Sequence, residues 1–421
     1  MAATDFTNVA AWWKQTTADV IIPLFENEAP TYNAVEKATD KKKINGKGYR
    51  VPMIVGRPGG HTGFTPQDAD FNQPVPMQSE SMYVYPVGYA LPMQFTGETI
   101  REFKQGNADA IADMGDFYAE YSRAAAKRLN RMCYGDGTGA LAYAAGSLTT
   151  AGPGQTLSCT TTAASTAGQT KGAHYLEAGH FYQAFNAATG AVRGTFSVTT
   201  PGTSSCVINL LSGTITSGDP LCDVGSFNRY MRGFAHLISA ANRTLQGLSS
   251  AQYNDLNSPE IDLNGALVTP STISSLKAAL MTRNNKQEAR DNLLMFMTWG
   301  RYESLNKQGY GFRSYTDGET TSGVATRYKD GDTVFICDAD ADDDRGYAVK
   351  ARDVKMFEEM EFGPFDLDDQ QLRMLLGRNS SGSDNYQRAI GNRANIGILR
   401  TRAAAYFKRG QISGLATQLN S

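Results

Sequence analysis

Three side chains in the stretch HYLEAGHFYQAF have the residue types and the close spacing of metal ligands: His174, Glu177 and His180. Imidazole nitrogens and carboxylate oxygens are common zinc ligands. Their order, however, is not the H-E-x-x-H order of a zinc-protease helix. Gly179 and the flanking turn residues also weaken a helix there. We therefore expect structural histidines and no metal site, with a metal-dependent enzyme as the less favoured alternative.

A second group of candidate ligands is the acidic run DADADDD, which contains Asp338, Asp340, Asp342, Asp343 and Asp344. Carboxylates at alternate positions resemble the start of a calcium loop. An EF-hand loop needs Gly at its sixth position and Glu at its twelfth, and the sequence has Asp343 and Val349 there. We expect a solvated turn, or a salt-bridge partner for an arginine of another subunit. An incidental divalent-cation site is the alternative.

Motifs of other enzyme classes are missing from the sequence. It contains no GxSxG elbow, no P-loop and no HExxH, and no GxGxxG follows a predicted strand. The glycine-rich GDGTG at Gly135 follows a predicted helix, whereas a phosphate site needs the free N–H groups at a helix N-terminus. The sequence thus predicts no catalytic residue, no cofactor and no metal ligand, and we expect a protein that is not an enzyme.

Cysteine usage and composition favour an intracellular, soluble class. The five cysteines are far apart, odd in number and without a CxxC pair, so we expect free thiols and no disulfide framework. The 421 residues suggest two or three domains, and the net charge of −2 excludes a strong field for nucleic acid or an acidic membrane. No apolar run approaches the ~18 residues of a membrane span, and the N-terminus does not resemble a secretory signal.

The element that organises the chain is a predicted helix from Asn107 to Cys133. Apolar residues recur at spacings of three and four and share one face, namely Ile111, Met114, Tyr118, Tyr121, Ala125, Leu129 and Met132. Acidic residues occupy the first half and basic residues the second, which complements the helix dipole. We expect Asn107 to cap its start and Gly135 to end it in a left-handed conformation. The helix would be roughly 40 Å long. It is either a long core helix of a globular protein or a helix that lies across a structure shared by several copies.

Two segments before this helix predict a long hairpin. Gly48 to Gly56 forms one strand and Ser81 to Thr96 a second, in which aromatic and apolar residues alternate. Because proline cannot donate to a ladder, Pro86 and Pro92 predict that the second strand is at a sheet edge or only partly paired. Because a lone hairpin is marginally stable in water, its aromatic face needs a partner, and we favour a neighbouring copy over the chain's own body.

The remaining predictions are coarser. We expect a helix at Asp5–Phe25 with one of Trp12 and Trp13 facing another element or chain, and an extended arm at 29–43. Further along we expect a β-rich insertion at 146–219, a connecting loop at 237–266, and a helix that opens at Thr269-Pro270. The last predicted elements are a strand and helix at 291–308, a strand–turn–strand at 333–350, and a closing strand or short helix at 392–409.

This order of elements, with three short patches, resembles the major capsid protein of a tailed bacteriophage with the Hong Kong-97-like fold. The patches are LNRMCYGDGTGAL, GLSSAQYNDLNSP with GALVTPSTISSLKAAL, and NLLMFMTWGRYESL. The resemblance implies an α+β fold with the following parts: an N-terminal arm (1–45), an extended E-loop (46–98), a peripheral domain with the spine helix (99–145), an inserted β-rich subdomain (146–235), the peripheral domain continued (236–290), an axial domain (291–377), and a C-terminal return to the peripheral domain (378–421).

The resemblance also implies function and partners. The chain would assemble with itself into hexamers and pentamers of an icosahedral head shell. The shell would enclose double-stranded DNA, held weakly and without sequence specificity. Portal, scaffolding or decoration proteins would be further partners. The protein would be part of the virion, assembled in the host cytoplasm and independent of membranes. A β-rich phage adhesin or tail component is the alternative from another class.

Overall fold

The protein is described by a computed structural model that covers residues 29–38, 43–44, 48–56, 59, 73–96, 108–161, 172–284, 293–309, 333–364, 374–378, 384–400 and 403–409. The predicted helix at Asp5–Phe25, with Trp12 and Trp13, lies outside the described residues, as do Lys41 and Lys42. No helix in the described part of the chain is both long and apolar enough to cross a bilayer. Helices and strands are mixed along the chain, as an α+β fold requires.

The described residues form five α-helices: α1 (Pro30–Ala34), α2 (Ala108–Tyr134), α3 (Phe234–Leu237), α4 (Pro270–Asn284) and α5 (Trp299–Gly309). Short 3-10 helices lie at Gly172–Tyr175 and Asn254–Leu256. The strands are, in chain order, β1 (Lys43–Ile44), β2 (Gly48–Gly56), β3 (Gln78–Val84), β4 (Val87–Thr96), β5 (Ala142–Ala144), β6 (Gly152–Thr160), β7 (Phe181–Phe185), β8 (Val192–Thr200), β9 (Ser205–Gly213), β10 (Pro220–Asp223), β11 (Thr244–Leu245), β12 (Leu248–Ser249), β13 (Glu260–Asp262), β14 (Leu293–Met297), β15 (Val334–Cys337), β16 (Arg345–Lys350), β17 (Val354–Pro364), β18 (Met374–Arg378), β19 (Asp384–Ile398) and β20 (Ala404–Lys408).

The long helix α2 is confirmed within one residue at its C-terminal end. Its C-terminal half is buried in the largest core, where Leu129 and Met132 lie with Phe234 of α3 and Phe357 of β17. The expected left-handed cap at Gly135 is wrong. The Gly135 N–H donates to the Met132 carbonyl at 3.0 Å, and the left-handed φ values come later in the turn, at Gly137 and Gly139.

The predicted single strand from Ser81 to Thr96 is wrong, because the chain makes two strands there. β3 pairs with β2, whereas β4 pairs with β19 over ten positions. Pro86 lies in the break and cannot donate to a ladder. The buried residues of β3 are Met82 and Val84, so the alternate tyrosines are not its core face. Within the described residues each of these strands pairs on one side only, so the predicted edge position is confirmed.

A closed barrel follows α2, with strand order β10-β5-β6-β9-β8-β7. It has a core of its own, which includes Leu157, Tyr182, Phe196, Ile208 and Leu221. The Gly-, Ser- and Thr-rich stretch therefore folds into short strands and turns, as its composition predicted. The two ends of the barrel are adjacent, because the Leu141 N–H donates to the Leu221 carbonyl at 2.9 Å.

A five-stranded sheet with order β13-β20-β16-β14-β15 lies beyond the barrel. Helix α4 begins at Pro270, as predicted, and buries Ile273, Leu276 and Leu280 in the core of this sheet. The predicted strand and helix at 291–308 are confirmed as β14 and α5. The closing segment is two strands, β19 and β20, and not one. The stretch 237–266 is mostly irregular, with three two- or three-residue strands.

The segment 29–38 contradicts the expectation of an extended arm. It contains α1, and Ala29, Thr31, Tyr32 and Val35 are all buried. Beyond α1 the backbone joins the edge of β17, because Ala38 N–H donates to the Met356 carbonyl and Met356 N–H donates to the Glu36 carbonyl. These contacts come from residues more than 300 positions away, which no local pattern in the segment could indicate.

Candidate functional sites: a buried polar junction and an open cleft

The histidine group predicted from sequence lies on the surface of the barrel. His174 is in the 3-10 helix, and all three side chains are exposed. His180 Nε2 lies 3.6 Å from Glu177 Oε2, and Gly179 adopts a left-handed φ of 79°. No group of three metal-ligating side chains occurs among the residues that the structure describes. The five cysteines are free thiols, as predicted, and four of them are buried.

The acidic run is not a solvated turn, and its arginine partner belongs to the same chain. Asp338 and Asp342 are almost completely buried. Asp338 Oδ2 accepts hydrogen bonds from Thr31 Oγ1 at 2.5 Å, Asn130 Nδ2 at 2.7 Å and the Tyr134 hydroxyl at 3.2 Å. Burial, with Asp338 nearby, raises the pKa of Tyr134, so this phenol keeps the proton that it donates.

Arg131 forms the second half of this cluster. Its Nη1 donates to Asp342 Oδ1 at 2.8 Å and to the Asp340 carbonyl at 3.0 Å, and its Nη2 donates to the Thr161 carbonyl at 3.2 Å. The guanidinium also lies 4.7 Å from the centre of the Tyr175 ring, which is favourable cation–π geometry. The Tyr175 hydroxyl donates to the Asp340 carbonyl at 3.3 Å. The barrel is thereby attached to both the helix and the acidic turn.

We call this cluster the polar junction. It joins four parts of the chain: the segment 29–38, the helix α2, the barrel, and the turn between β15 and β16. Its members are Thr31, Asn130, Arg131, Tyr134, Thr161, Tyr175, Asp338, Asp340, Asp342 and Tyr347. Donors and acceptors are matched around both buried aspartates, and such networks fix one arrangement of the parts they join. The geometry therefore suits a structural connection.

The GDGTG turn after α2 forms one side of an open cleft of about 740 Å³. Asp136 organises the turn, because its carboxylate accepts from the Thr138 N–H at 2.9 Å and from the Tyr143 hydroxyl at 2.5 Å. The turn follows a helix C-terminus, in agreement with the sequence argument against a phosphate site. The other walls come from the β3–β4 connection, the stretch 228–247 and β19, and the lining residues include Tyr83, Tyr85, Tyr230, Arg232, His236 and Asn395.

His236 at the floor of the cleft is neutral near pH 7. Burial, together with the charges of Arg232 and Arg243, lowers its pKa to about 4. Asp136 acts weakly in the opposite direction. Sequence reasoning did not find this cleft. Its residues come from four separate stretches, and none of Arg232, His236 and Asn395 belongs to a motif.

Large apolar side chains are exposed at several places, among them the barrel, where Phe181 is 59% exposed, the β2–β3 hairpin and α5. In the β2–β3 hairpin, Ile54, Val75 and Met77 are 56%, 51% and 54% exposed. Every residue from Gln73 to Glu80 is exposed. On α5, Trp299 is 56% exposed, although its neighbour Tyr302 is buried. Solvent-exposed apolar groups gathered in one place are typical of interaction surfaces.

Comparison with known proteins gives a fold and no sequence family. No family model matches the chain, and no curated protein matches it. The capsid asymmetric unit of cyanophage A-1(L) is similar to the chain with a TM-score of 0.53 and 10% identity, over 90% of this chain and 92% of that chain. A structure from Mycobacterium phage Patience (TM-score 0.44, 9% identity, 96% and 88% covered) and the capsid of an empty GTA particle (TM-score 0.42, 9% identity, 91% and 90% covered) have lower scores. The chain thus has the fold of a phage capsid protein.

Proposed function

We propose that this chain is the major capsid protein of a tailed bacteriophage. Copies of it would assemble into hexamers and pentamers of an icosahedral head shell that encloses double-stranded DNA. The observation that carries the proposal is the likeness to the cyanophage A-1(L) capsid over nine-tenths of both chains. The sequence resemblance to the Hong Kong-97-like fold, reached from separate patches, supports the same function.

The exposed hairpin gives a physical reason for assembly. Burying Ile54, Val75 and Met77 against another copy would be favourable by roughly 1.5–3 kcal/mol for each fully buried side chain. Closed symmetry repeats every contact many times, so modest pairwise affinities add up to a stable container. Trp299 on α5 offers a second contact of the same kind.

The parts of the chain receive the roles that the resemblance implies. Residues 46–98 would be the extended loop over a neighbouring subunit, and α2 would be the spine helix of the peripheral domain at 99–145 and 236–290. Residues 291–377 would be the axial domain at the capsomer centre. The barrel, apart from its strand β5 (Ala142–Ala144), would belong to the inserted subdomain at 146–235 on the outer surface. The polar junction would hold these parts in one arrangement.

Contacts with DNA would be weak. A chain with a net charge of −2 can neutralise few phosphates overall. Its affinity for DNA should therefore be low, depend little on the DNA sequence, and decrease as the salt concentration rises. The protein would be located in the virion after assembly in the host cytoplasm. Portal, scaffolding or decoration proteins would complete the particle. No catalytic activity is part of this function.

Expression of the full chain, followed by sedimentation and electron microscopy, tests the proposal. We expect closed shells built from hexamers and pentamers, either alone or with a scaffolding protein. Deletion of residues 57–78 removes much of the hairpin and should abolish shells while the subunit still folds, as judged by circular dichroism. Isolated trimers that bind glycans would favour the adhesin alternative, and a stoichiometric metal content would favour an enzyme. Either result would contradict the proposed function.

A further inference from the structure

The cleft beside the GDGTG turn is preformed, because one amide holds two of its walls together. Asn395 on β19 accepts from the Arg232 N–H at 3.1 Å and donates to the Tyr85 carbonyl at 2.8 Å. The same two walls are joined again by the Tyr83 N–H, which donates to the Gln246 carbonyl at 2.9 Å. Its volume of about 740 Å³ lies in the range of ordinary binding sites. A ligand would therefore meet an ordered surface.

Arg232 brings a positive charge to the cleft lining, which also contains the carboxylate of Asp136. Its Cγ lies against Gly137, where an added Cβ would come within 2.7 Å of it, so the stem of the side chain is held on the turn. The side chain is exposed, and no carboxylate of a described residue lies within ion-pair distance of it. Asp136 is engaged by Thr138 and Tyr143. Tyrosine and arginine together are typical of the energetic centres of protein interfaces.

The described hairpin carries the matching chemistry. Between Gln73 and Glu80 it exposes the apolar side chains of Val75 and Met77 and the carboxylate of Glu80. The chain's own hairpin cannot enter its own cleft, since Tyr83 and Val84 at the base of β3 form part of the cleft wall. From there β3 runs away as an extended strand, at ~3.3 Å per residue. Only another copy can bring this segment to the cleft.

We infer that the cleft receives residues 73–80 of a second copy of this chain, with Glu80 paired to Arg232 and Val75 or Met77 against the Tyr83 and Tyr85 wall. This inference rests on the proposed function and assigns the docking site of the projecting hairpin. Among the described residues Glu80 has one long contact, with the Tyr253 hydroxyl at 3.5 Å. The carboxylate is therefore available for the new pair.

Disulfide trapping tests the contact directly. Chains with Glu80→Cys are mixed with chains that carry Arg232→Cys and a different tag, and the mixture is oxidised under assembly conditions. The matched control is Arg229→Cys, since Arg229 is an exposed arginine three residues away that does not line the cleft. We expect mixed dimers with Arg232→Cys and several-fold fewer with Arg229→Cys. Equal yields, or no mixed dimer with Arg232→Cys, would overturn the inference.

Charge exchange provides a second and independent measurement. Arg232→Glu places two carboxylates together and should lower the yield of particles at least about tenfold, while Arg229→Glu should leave the yield unchanged. Adding Glu80→Arg to Arg232→Glu should restore assembly. Normal particles from Arg232→Glu, or no rescue by the double variant, would contradict the inference.

The two proposals fail in different ways. If the unsubstituted protein forms no shells with or without a scaffold, the proposed function is wrong. If it forms shells and the trapping and exchange results are negative, the function stands and the assignment of the cleft is wrong. Trapping also applies to concentrated soluble subunits, so the docking contact is tested even without shells.

Discussion

The guanidinium of Arg131 and the carboxylate of Asp342 are joined by a 2.8 Å hydrogen bond, although their side chains are only 6% and 0% exposed. Arg131 belongs to the long helix, and Asp342 lies more than 200 residues later in the turn between β15 and β16. The ion pair therefore connects the central helix to the five-stranded sheet. Arg131 also contacts Thr161 and Tyr175, which makes it the residue through which the barrel is joined to both.

Replacement of Arg131 should lower the free energy of unfolding of the subunit. Arg131→Met removes the cationic partner of the buried Asp342 carboxylate, and we expect a loss of roughly 3–5 kcal/mol in the free energy of unfolding of the subunit. The control is Arg123→Met in the same helix, where the partner Glu120 and the arginine are both exposed. That change should cost at most about 1 kcal/mol. Urea denaturation measures both, and equal losses would contradict a special role for Arg131.

Asp338→Asn should weaken the attachment of the segment 29–38 to the rest of the subunit. The replaced oxygen accepts from three donors, and an amide group there would place a second donor against Asn130 or lose an acceptor for Thr31. We expect a loss of about 1–3 kcal/mol and faster amide exchange in residues 30–35, measured by hydrogen–deuterium exchange. Glu177→Gln on the barrel surface is the control. Unchanged exchange in 30–35 would show that the junction does not hold this segment.

Two glycines that face each other in the β17–β19 pair should respond differently to alanine. A Cβ on Gly391 would lie 1.9 Å from the Tyr89 carbonyl oxygen of β4, whereas a Cβ on Gly363 would have no neighbour within 4 Å. Gly391→Ala should push β4 from β19 and destabilise by roughly 1–3 kcal/mol or more. Gly363→Ala should change stability by less than about 1 kcal/mol. Thermal denaturation of the two variants measures the difference, and similar values would refute the close approach of β4.

His236 should make the free energy of unfolding of the subunit decrease as the pH falls below 6.5. Its pKa is about 4 in the folded chain and ordinarily 6.5, so between these values only the unfolded chain binds the proton. The stability that the neutral His236 contributes is therefore fully present above pH 6.5. The free energy of unfolding falls as the pH drops from 6.5, and this contribution is lost below about pH 4. The total decrease is at most about 3 kcal/mol. His236→Gln should flatten this part of the profile, whereas the exposed His174→Gln should not. Identical slopes for all three proteins would contradict the lowered pKa.

Regular local patterns were enough to predict the longer helices α2, α4 and α5. The period of α2 and the Thr269-Pro270 start of α4 are carried by neighbouring residues, so each helix could be placed to within a few positions. The short β segments of the barrel were likewise visible from their turn residues. Their closure into a barrel was not predicted, because the pairing of β10 with both β5 and β7 joins distant stretches.

The wrong predictions share a physical cause. The segment 29–38 has no strong period, and its helix and its burial depend on Asn130, Asp338 and Met356. The acidic run looked solvated because sequence shows its charge and not Arg131, its distant partner. Ser81 to Thr96 has the alternation of a single strand. Pro86, however, ends the pairing of β3 with β2, and the following strand β4 pairs with β19. In each example a remote contact outweighed the local preference.

The attachment of residues 29–38 has a consequence for synthesis on the ribosome. Thr31 binds Asp338, Ala38 binds Met356 and Tyr32 binds Asn392, which are separated from them by more than 300 residues. At 5–20 residues per second, those partners emerge roughly 15–70 seconds after the start of the chain. The nascent N-terminal stretch must stay soluble without its final neighbours for that whole interval. A chaperone that binds this stretch during synthesis would therefore protect the chain from aggregation.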